Sequence, residues 1–267
     1  MKNLIRKINI LYFFKSIIFP VDLRERKVIK KNFFKYFLYC IKNKKNKVIV
    51  ASYPSSGWNF FNSVINNYLN IKLKSNNIKF FRSINIKNSL KRKSNLHNLH
   101  SHLCYFEIPF FGPGNIKKNK KIIITRNYIT TLFSYYKKYN RNYDFNKFIL
   151  EGNSLERLVE YYNSWAVHLE ETNNYFIVKY ETLKKNPNKY FKEIIELLYP
   201  HLNFENTILK KALKNKNFKK IKNKKKDVFL GKDNYQNLIE DKTLNYLKKY
   251  LRKNLSNDTK KLFAYKI

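Results

Sequence analysis

Residues Lys47–Phe61, with the sequence KVIVASYPSSGWNFF, decide the fold that this chain adopts. The apolar run Val48–Ala51 contains β-branched residues and predicts a short parallel strand that is covered on both faces. Pro54 then fixes one backbone dihedral and Gly57 permits a turn that other residues resist, so the chain leaves the strand in a tight loop. The stretch therefore indicates a strand, a loop and the start of a helix.

A helix is expected after this loop because apolar residues return at helical spacing. The residues on that face are Phe60, Phe61, Val64, Ile65 and Leu69. Small residues between a strand and a helix N-terminus present backbone N–H groups at the positive end of the helix dipole, which suits a phosphate or sulfate group. An ordinary strand-to-helix turn is the other interpretation. The Gly-Lys-Ser/Thr ending of ATP- and GTP-binding loops is missing here, which argues against a nucleotide kinase.

The length of 267 residues allows a sizeable core, and one α/β domain is the simplest organisation. A formal net charge of +38 and a pI of about 10.0 would suit nucleic acid or an anionic membrane. The lysines are nevertheless spread over the whole chain, and the abundant residue types are those of an A/T-rich genome. This argues against nucleic acid as a partner, although a basic surface favours anionic cofactors and acceptors. Cys40 and Cys104 show no metal-ligand spacing and no disulfide framework, so we expect reduced thiols and a cytoplasmic location.

The N-terminal segment Ile8–Val21 is apolar but short, and Lys15 and Pro20 interrupt it. A membrane-spanning helix needs about 20 predominantly apolar residues, so a helix that packs on the domain is the first interpretation. The second is a peripheral contact with an anionic membrane. Arg26–Ile41 predicts another helix, which precedes the strand at Val48–Ala51.

A second strand-loop-helix unit lies in Lys120–Tyr139, KKIIITRNYITTLFSYYKKY. Ile122–Thr125 predicts a buried strand, and Arg126 falls at its carboxyl end, where open α/β sheets place ligands. A guanidinium there can bind phosphate bidentately, although an exposed arginine after a strand is a common alternative. The following helix carries Ser134 and an apolar face formed by Ile129, Leu132, Phe133 and Tyr136.

The rest of the chain continues the α/β pattern. Trp165 lies on the apolar side of one helix, Tyr180-Glu181 ends one strand, and Pro187 suits the first position of a helix. The expected elements are the helices Leu155–Glu171, Asn188–Leu198 and Thr243–Leu255 and the strands Ile78–Phe81 and Phe176–Val178.

Three of the five histidines, His97, His100 and His102, lie in Asn95–Gly114. No Cys, Asp or Glu completes a metal-ligand set at suitable spacing. A catalytic base is the other functional interpretation, because a neutral imidazole can accept a proton near pH 7.

The two strand-loop-helix units resemble those of sulfotransferases that use 3′-phosphoadenosine 5′-phosphosulfate (PAPS). The family pattern Tyr-Pro-Lys-Ser-Gly-Thr-Thr-Trp is similar to Tyr53–Phe60, YPSSGWNF, and the family's 3′-phosphate motif has Arg and Ser at the separation of Arg126 and Ser134. The resemblance spans Lys47–Leu255 and implies a three-layer α/β/α fold around a central parallel sheet, the P-loop NTPase-like sulfotransferase fold. Residues 1–46 would then be a helical lead-in, 47–255 the domain and 256–267 a tail.

The resemblance also implies the roles of individual residues. Arg126 and Ser134 would hold the 3′-phosphate, and no metal would take part. Tyr180 would contact the nucleotide and Phe60 would stack on the adenine, although packing in the core is the other interpretation for both. His102, in a segment that resembles the family's Lys-Thr-His-Leu-Pro, would take the proton from the acceptor. The residues around the 5′-phosphosulfate would be Ser55, Ser56, Gly57, Trp58, Asn59 and Phe60.

Three positions depart from the family pattern. Ser55 replaces a lysine that stabilises charge on the leaving phosphate. Losing one such contact lowers the rate by a factor on the order of 10² to 10³. Tyr128 and Thr130 replace a Pro and an Asp that shape the start of a helix. The candidates for a replacement cation are Lys79, Lys226 and Lys232.

The implied activity is transfer of a sulfuryl group from PAPS to a hydroxyl or amine of an acceptor that the sequence does not identify. A carbohydrate, a lipid-linked glycan, a small alcohol and a peptide tyrosine all remain open. The alternative is a catalytically weak sulfotransferase-like scaffold that acts as a basic nucleic-acid- or membrane-binding module.

Overall fold

The computed structural model describes residues 48–74, 81–83, 98–101, 120–139, 144–151, 153–170, 172, 174–214 and 239–265. Several predictions lie outside these ranges: the lead-in 1–46 with Ile8–Val21 and Arg26–Ile41, both cysteines, His97, His102, Lys79, Lys226 and Lys232.

Five parallel strands form one sheet within the described residues. They are β1 (Val48–Ser52), β2 (Phe81–Ser83), β3 (Asn98–Ser101), β4 (Lys120–Thr125) and β5 (Tyr175–Lys179). Their order across the sheet is β2-β3-β1-β4-β5. In this register Ser52 of β1 lies beside Ile124 of β4, so both strands end at the same edge.

The helices that the structure describes are α1 (Trp58–Lys72), α2 (Tyr128–Tyr139), α3 (Phe145–Glu151), α4 (Ser154–Glu170), α5 (Tyr180–Lys185), α6 (Pro187–Leu198), α7 (Asn206–Lys214), α8 (Asp241–Asn254) and α9 (Asn257–Phe263). Among these, none combines the length and the apolar character that a bilayer-crossing helix requires.

The helices cover the sheet on both faces, because the side chains of β1 and β4 alternate between two cores. Val48 and Val50 pack with Ile122 and Ile124 against the helices α1, α6 and α7. Ile49, Ala51 and Ile123 face the opposite way, against α2, α4, α8 and α9. The apolar runs of both strands are therefore buried on both sides, and the predicted three-layer α/β/α fold is confirmed.

The chain leaves β1 and β4 in opposite directions. Helix α1 follows β1 onto one face of the sheet, whereas α2 follows β4 onto the other. Neighbouring parallel strands whose helices diverge in this way leave a crevice at their carboxyl ends, which is where open α/β sheets bind ligands. The loops 53–57 and 126–127 border this crevice.

Of the strand expected at Ile78–Phe81, only Phe81 lies within the described residues, where it begins β2. His100 lies in β3, a strand that the sequence analysis did not predict. The domain was also expected to end at Leu255, with a tail behind it. The structure shows the further helix α9 there, and its Phe263 is fully buried in the core shared with α4. Ordered packing thus continues past the expected boundary.

Candidate functional site

The loop between β1 and α1 is held in a defined turn. The Ser56 backbone N–H donates to the Tyr53 carbonyl oxygen over 3.1 Å, and the Ser56 hydroxyl donates to the same oxygen over 2.5 Å. The buried Tyr53 hydroxyl donates to the Ser154 carbonyl oxygen on α4. Ser55 and Gly57 both have positive φ, at 68° and 109°. The loop is therefore fixed at its base and turned sharply at its tip.

Gly57 is required for two separate reasons. Its φ of 109° is one that side chains with a Cβ rarely adopt. In addition, a Cβ at this position would lie 2.3 Å from Cδ2 of Tyr180. The missing side chain lets the first residue of α5 pack directly on the loop.

The N-terminus of α1 offers backbone donors to an anion. The first helical hydrogen bond of this turn runs from the Phe61 N–H to the Gly57 carbonyl oxygen. The N–H groups of Trp58, Asn59 and Phe60 precede it and have no acceptor within the helix. No acidic residue occupies the first turn of α1, and Gly57 supplies no capping side chain. No carboxylate in this first turn therefore neutralises the positive end of the helix dipole.

Arg126 brings a cation against this loop. It follows β4 directly, it is 3% exposed, and its Nη1 donates to the Ser55 carbonyl oxygen over 3.3 Å. Its guanidinium carbon lies 4.9 Å from the centre of the Tyr180 ring, a cation–π distance. The structure therefore joins the two loops that the sequence analysis singled out separately.

Asn127 and Thr130 shape the start of α2. The Asn127 Oδ1 accepts hydrogen bonds from the backbone N–H groups of Ile129 and Thr130 at 3.1 and 3.2 Å, which is the pattern of an N-cap. The Thr130 hydroxyl donates to the Asn127 carbonyl oxygen. These contacts show how the helix begins without the family's Pro and Asp at Tyr128 and Thr130.

Ser134 lies in the second turn of α2 and is partly exposed. The helix that carries Ser134 begins directly after Arg126 and Asn127, so both predicted phosphate ligands belong to one strand-loop-helix unit, as their spacing in the sequence predicts. Its proposed contact with a phosphate stays a prediction.

Tyr180 and Phe60 form an aromatic pair next to Arg126. Their rings meet edge to face with centroids 6.1 Å apart, and Phe60 also contacts Phe191 of α6. Tyr180 is 5% exposed because it packs on Gly57 and Arg126, whereas Phe60 is only partly buried. Tyr180 therefore supports the loop, and Phe60 presents the more accessible ring.

Behind Arg126 lies a group of buried phenols that the sequence analysis did not identify. Burial raises the pKa of Tyr128, Tyr162 and Tyr265 far above the usual value. For Tyr162, hydrogen bonds with the Arg126 backbone and the Ser56 side chain lower the pKa, but by less than burial raises it. These phenols stay protonated at neutral pH and add no negative charge behind the site.

Glu181 was expected only to end a strand. In the structure its Oε1 accepts from the Asn127 backbone N–H over 2.8 Å, and its Oε2 accepts from the Tyr265 hydroxyl over 3.1 Å. Tyr265 comes from the segment that the sequence analysis assigned to a tail. Its contact with Glu181 spans 84 residues, so no local pattern indicated it.

Two parts of the predicted site are not described. His102 lies outside the described residues, so its role as a base stays a prediction, and so do the three candidate lysines. Within the described part of the chain, no cluster of three or more His, Cys, Asp or Glu side chains is arranged to hold a metal ion.

Comparisons with known proteins agree with this architecture. The model of the sulfotransferase domain family matches residues 45–267. Among solved structures, the chain is similar to mouse sulfotransferase SULT7A1 complexed with PAP, with a TM-score of 0.64 and 18% identity over 90% of this chain and 94% of that one. It is also similar to retinol dehydratase in a complex with retinol and PAP, with a TM-score of 0.58 and 13% identity over 85% and 86%. At these identities the two structures show a shared fold. No curated protein sequence matches the chain.

Proposed function

Because the chain belongs to the sulfotransferase domain family, we propose that it transfers a sulfuryl group from PAPS to a hydroxyl or amine of an acceptor. The observation that carries the proposal is the contact between Arg126 Nη1 and the Ser55 carbonyl oxygen. It places a guanidinium beside a helix N-terminus, two kinds of anion-binding group in one crevice. A nucleotide phosphorylated at both its 3′ and its 5′ position needs such a pair.

The residues present fit this nucleotide. Gly57 leaves a cradle that a Cβ would fill, and the buried Ser55 Oγ has no hydrogen-bond partner within the described residues. In the proposal, the N–H groups at the start of α1 hold the 5′-phosphosulfate, and Arg126 with Ser134 holds the 3′-phosphate. Both neighbours in the structural comparison are complexes with PAP, the 3′,5′-bisphosphate that remains after sulfuryl transfer, which supports the assignment.

PAPS, when bound, supplies a sulfuryl group on a phosphate that leaves readily. The chain's own part is to orient and to stabilise charge. Fixed N–H donors at the α1 N-terminus stabilise the negative charge that develops on the leaving phosphate. The proposed anchoring by Arg126 limits the positions of the reacting end. His102 is proposed to accept the acceptor's proton.

Ser55 leaves the place of the family lysine without a side-chain cation. The described residues offer the N-terminus of α1 as a substitute, since Arg126 is assigned to the 3′-phosphate. We propose that this helix N-terminus retains activity at a reduced rate.

The competing proposal is a binding module that no longer catalyses. It draws on α8, where an open depression is lined by Asn245, Lys248, Lys249, Arg252 and Lys253. Such a cationic surface can attract a polyanion in a salt-dependent manner.

Calorimetry with PAP and with AMP separates these proposals, because AMP lacks the 3′-phosphate. A sulfotransferase is expected to bind PAP at least roughly 100-fold more tightly, since charge-assisted hydrogen bonds to the 3′-phosphate are each worth about 1.5–3 kcal/mol. Release of PAP from PAPS in the presence of acceptor panels then measures transfer. Equal binding of the two nucleotides, with tight and salt-dependent binding of RNA or anionic vesicles, would favour the binding module.

A further inference from the structure

Tyr265 connects α9 to the strand end that carries Arg126. We propose that Tyr265 is a positioning residue for Arg126 and so sets the preference of the site for a nucleotide with a 3′-phosphate. This inference rests on the proposed function. Tyr265 acts through the residues on either side of Arg126 and needs no contact with the nucleotide.

The ring of Tyr265 is held from two sides. Ala264 ends α9 in the left-handed region with φ 46°, which redirects the chain toward the sheet. The Lys179 ammonium at the end of β5 donates to the Ala264 carbonyl oxygen over 3.3 Å and lies 5.1 Å from the centre of the Tyr265 ring. On the other side, the Tyr128 ring meets it edge to face at 5.3 Å. The position of the hydroxyl is therefore well determined.

The Tyr265 hydroxyl makes two hydrogen bonds. It donates its single proton to Glu181 Oε2 over 3.1 Å. It therefore accepts from the Thr125 hydroxyl, whose Oγ1 is also 3.1 Å away. Thr125 is the last residue of β4 and directly precedes Arg126.

Glu181 completes the arrangement on the other side of Arg126. Its second oxygen accepts from the backbone N–H of Asn127 over 2.8 Å. Thr125 and Asn127, the two chain neighbours of Arg126, are thus bound to one phenol–carboxylate pair. The backbone from which the guanidinium extends is fixed at both ends.

The pair has to stay intact at neutral pH for this purpose. Burial, followed by the charge of Glu181, raises the pKa of the Tyr265 hydroxyl well above its usual value, so it remains a donor. Without this hydroxyl, Glu181 Oε2 and the Thr125 hydroxyl would each lose a partner in a partly buried setting. We expect residues 125–127 to adopt other conformations, in which Arg126 no longer points at a fixed position.

Tyr265→Phe removes the hydroxyl and keeps the ring. Calorimetry should show affinity for PAP reduced on the order of tenfold, because Arg126 is no longer held in position once the hydrogen bond to the Glu181 carboxylate is lost. Affinity for AMP should stay unchanged, because AMP has no group for Arg126 to hold. In turnover, KM for PAPS should rise while kcat changes less. Tyr246→Phe is the matched control, since Tyr246 is 41% exposed on α8.

Thr125→Val removes the other end of the same hydrogen bond and serves as a second variant if Tyr265→Phe folds poorly. The two substitutions should be non-additive in the PAP/AMP affinity ratio, because they break one network. A ratio that stays at its original value in both variants would overturn the positioning role. An equal loss for both nucleotides would overturn it too, since that is the effect of general destabilisation. If the unmodified protein itself does not distinguish PAP from AMP, the proposed function fails instead.

Discussion

The guanidinium of Arg126 lies 3.3 Å from the carbonyl oxygen of Ser55, although 71 positions separate the two residues in the chain. Neighbouring strands bring them together: β1 and β4 pair in parallel, and each loop follows its strand at the same edge. Had Gly57 and Arg126 lain on opposite sides of the sheet, one nucleotide could not reach both. Their proximity is the geometric condition that the proposed function needs.

Arg126→Ala should reduce affinity for PAP by roughly 100-fold, because the fork of charge-assisted hydrogen bonds to a phosphate is lost. Affinity for AMP should fall much less. Arg126→Lys should recover only part of the loss, since an ammonium keeps the charge without the bidentate geometry. Calorimetry with both nucleotides measures this.

Arg252→Ala, on the exposed face of α8, removes the same charge from the surface and should leave the affinity for PAP unchanged. A comparable loss in Arg252→Ala would mean that overall charge, and not the crevice, determines nucleotide binding.

Gly57→Ala should lower the free energy of unfolding by about 2 kcal/mol or more, because it combines an unfavourable positive φ with a clash against Tyr180. Urea unfolding followed by circular dichroism measures the change. In Gly57→Ala/Tyr180→Ala the clash is relieved while the φ cost remains. The two substitutions should therefore be less destabilising together than the sum of the single effects. Strict additivity would show that Tyr180 does not limit the space at Gly57.

Much of the fold follows from local pattern. The buried strands β1 and β4 were predictable because continuous apolar runs specify strands that are covered on both faces. The strand β5 was predictable too, but it ends the order of the described strands and only its Val178 is buried. Most of the apolar face of α1 was predictable as well: Phe61, Val64, Ile65 and Leu69 are buried, together with Tyr68, whereas Phe60 is only partly buried. The short strands β2 and β3 have no such run, so their pairing depends on neighbours that the sequence does not reveal.

The site was predictable in its parts but not in its connections. An asparagine two residues before Ile129 is a readable N-cap signal, yet its hydrogen bond to Glu181 depends on the packing of β5 beside β4. Tyr265 carried no local signal, because its role arises only when α9 packs on α4. Long-range polar contacts of this kind follow from tertiary structure and not from periodicity.

His102→Ala should abolish sulfuryl transfer and leave PAP binding intact, because a general base contributes to proton removal and not to holding the nucleotide. His201→Ala is a suitable control, since His201 is exposed in the turn before α7. PAP release with a responsive acceptor, together with calorimetry, separates the two effects. Unchanged turnover in the first variant would remove His102 from the mechanism.

The buried phenols should make the protein less stable above about pH 10. Tyr128, Tyr162 and Tyr265 have pKa values raised by burial in the folded state, whereas in the unfolded chain they ionise near 10. Above that pH the folded state binds more protons than the unfolded state, so each phenol lowers the free energy of unfolding by up to about 1.4 kcal/mol per pH unit.

The pKa of the buried Lys121 is lowered by desolvation, which gives the opposite slope as pH rises toward its unfolded value of 10.5. The three phenols together outweigh this single lysine, so the net decline should begin near pH 10. In urea unfolding series from pH 9 to 12, Tyr162→Phe should make the free energy of unfolding fall less steeply with pH. Tyr246→Phe, at an exposed site, should leave this slope unchanged. An identical slope in all three proteins would contradict the buried-phenol explanation.

Ser55→Lys should raise kcat for sulfuryl transfer by at least about tenfold, because it restores a cation where negative charge develops and one such contact is worth on the order of 10² to 10³ in rate. Ser55 already has φ 68°, so the substitution adds no new backbone strain beyond what the serine bears. Leu73→Lys places the same charge at the opposite end of α1, where the side chain is 49% exposed, and should change kcat little. Steady-state PAP release with one fixed acceptor, at saturating PAPS, compares the variants with the unmodified protein. Equal kcat in all three would mean that the α1 N-terminus already supplies the stabilisation that the lysine provides elsewhere in the family.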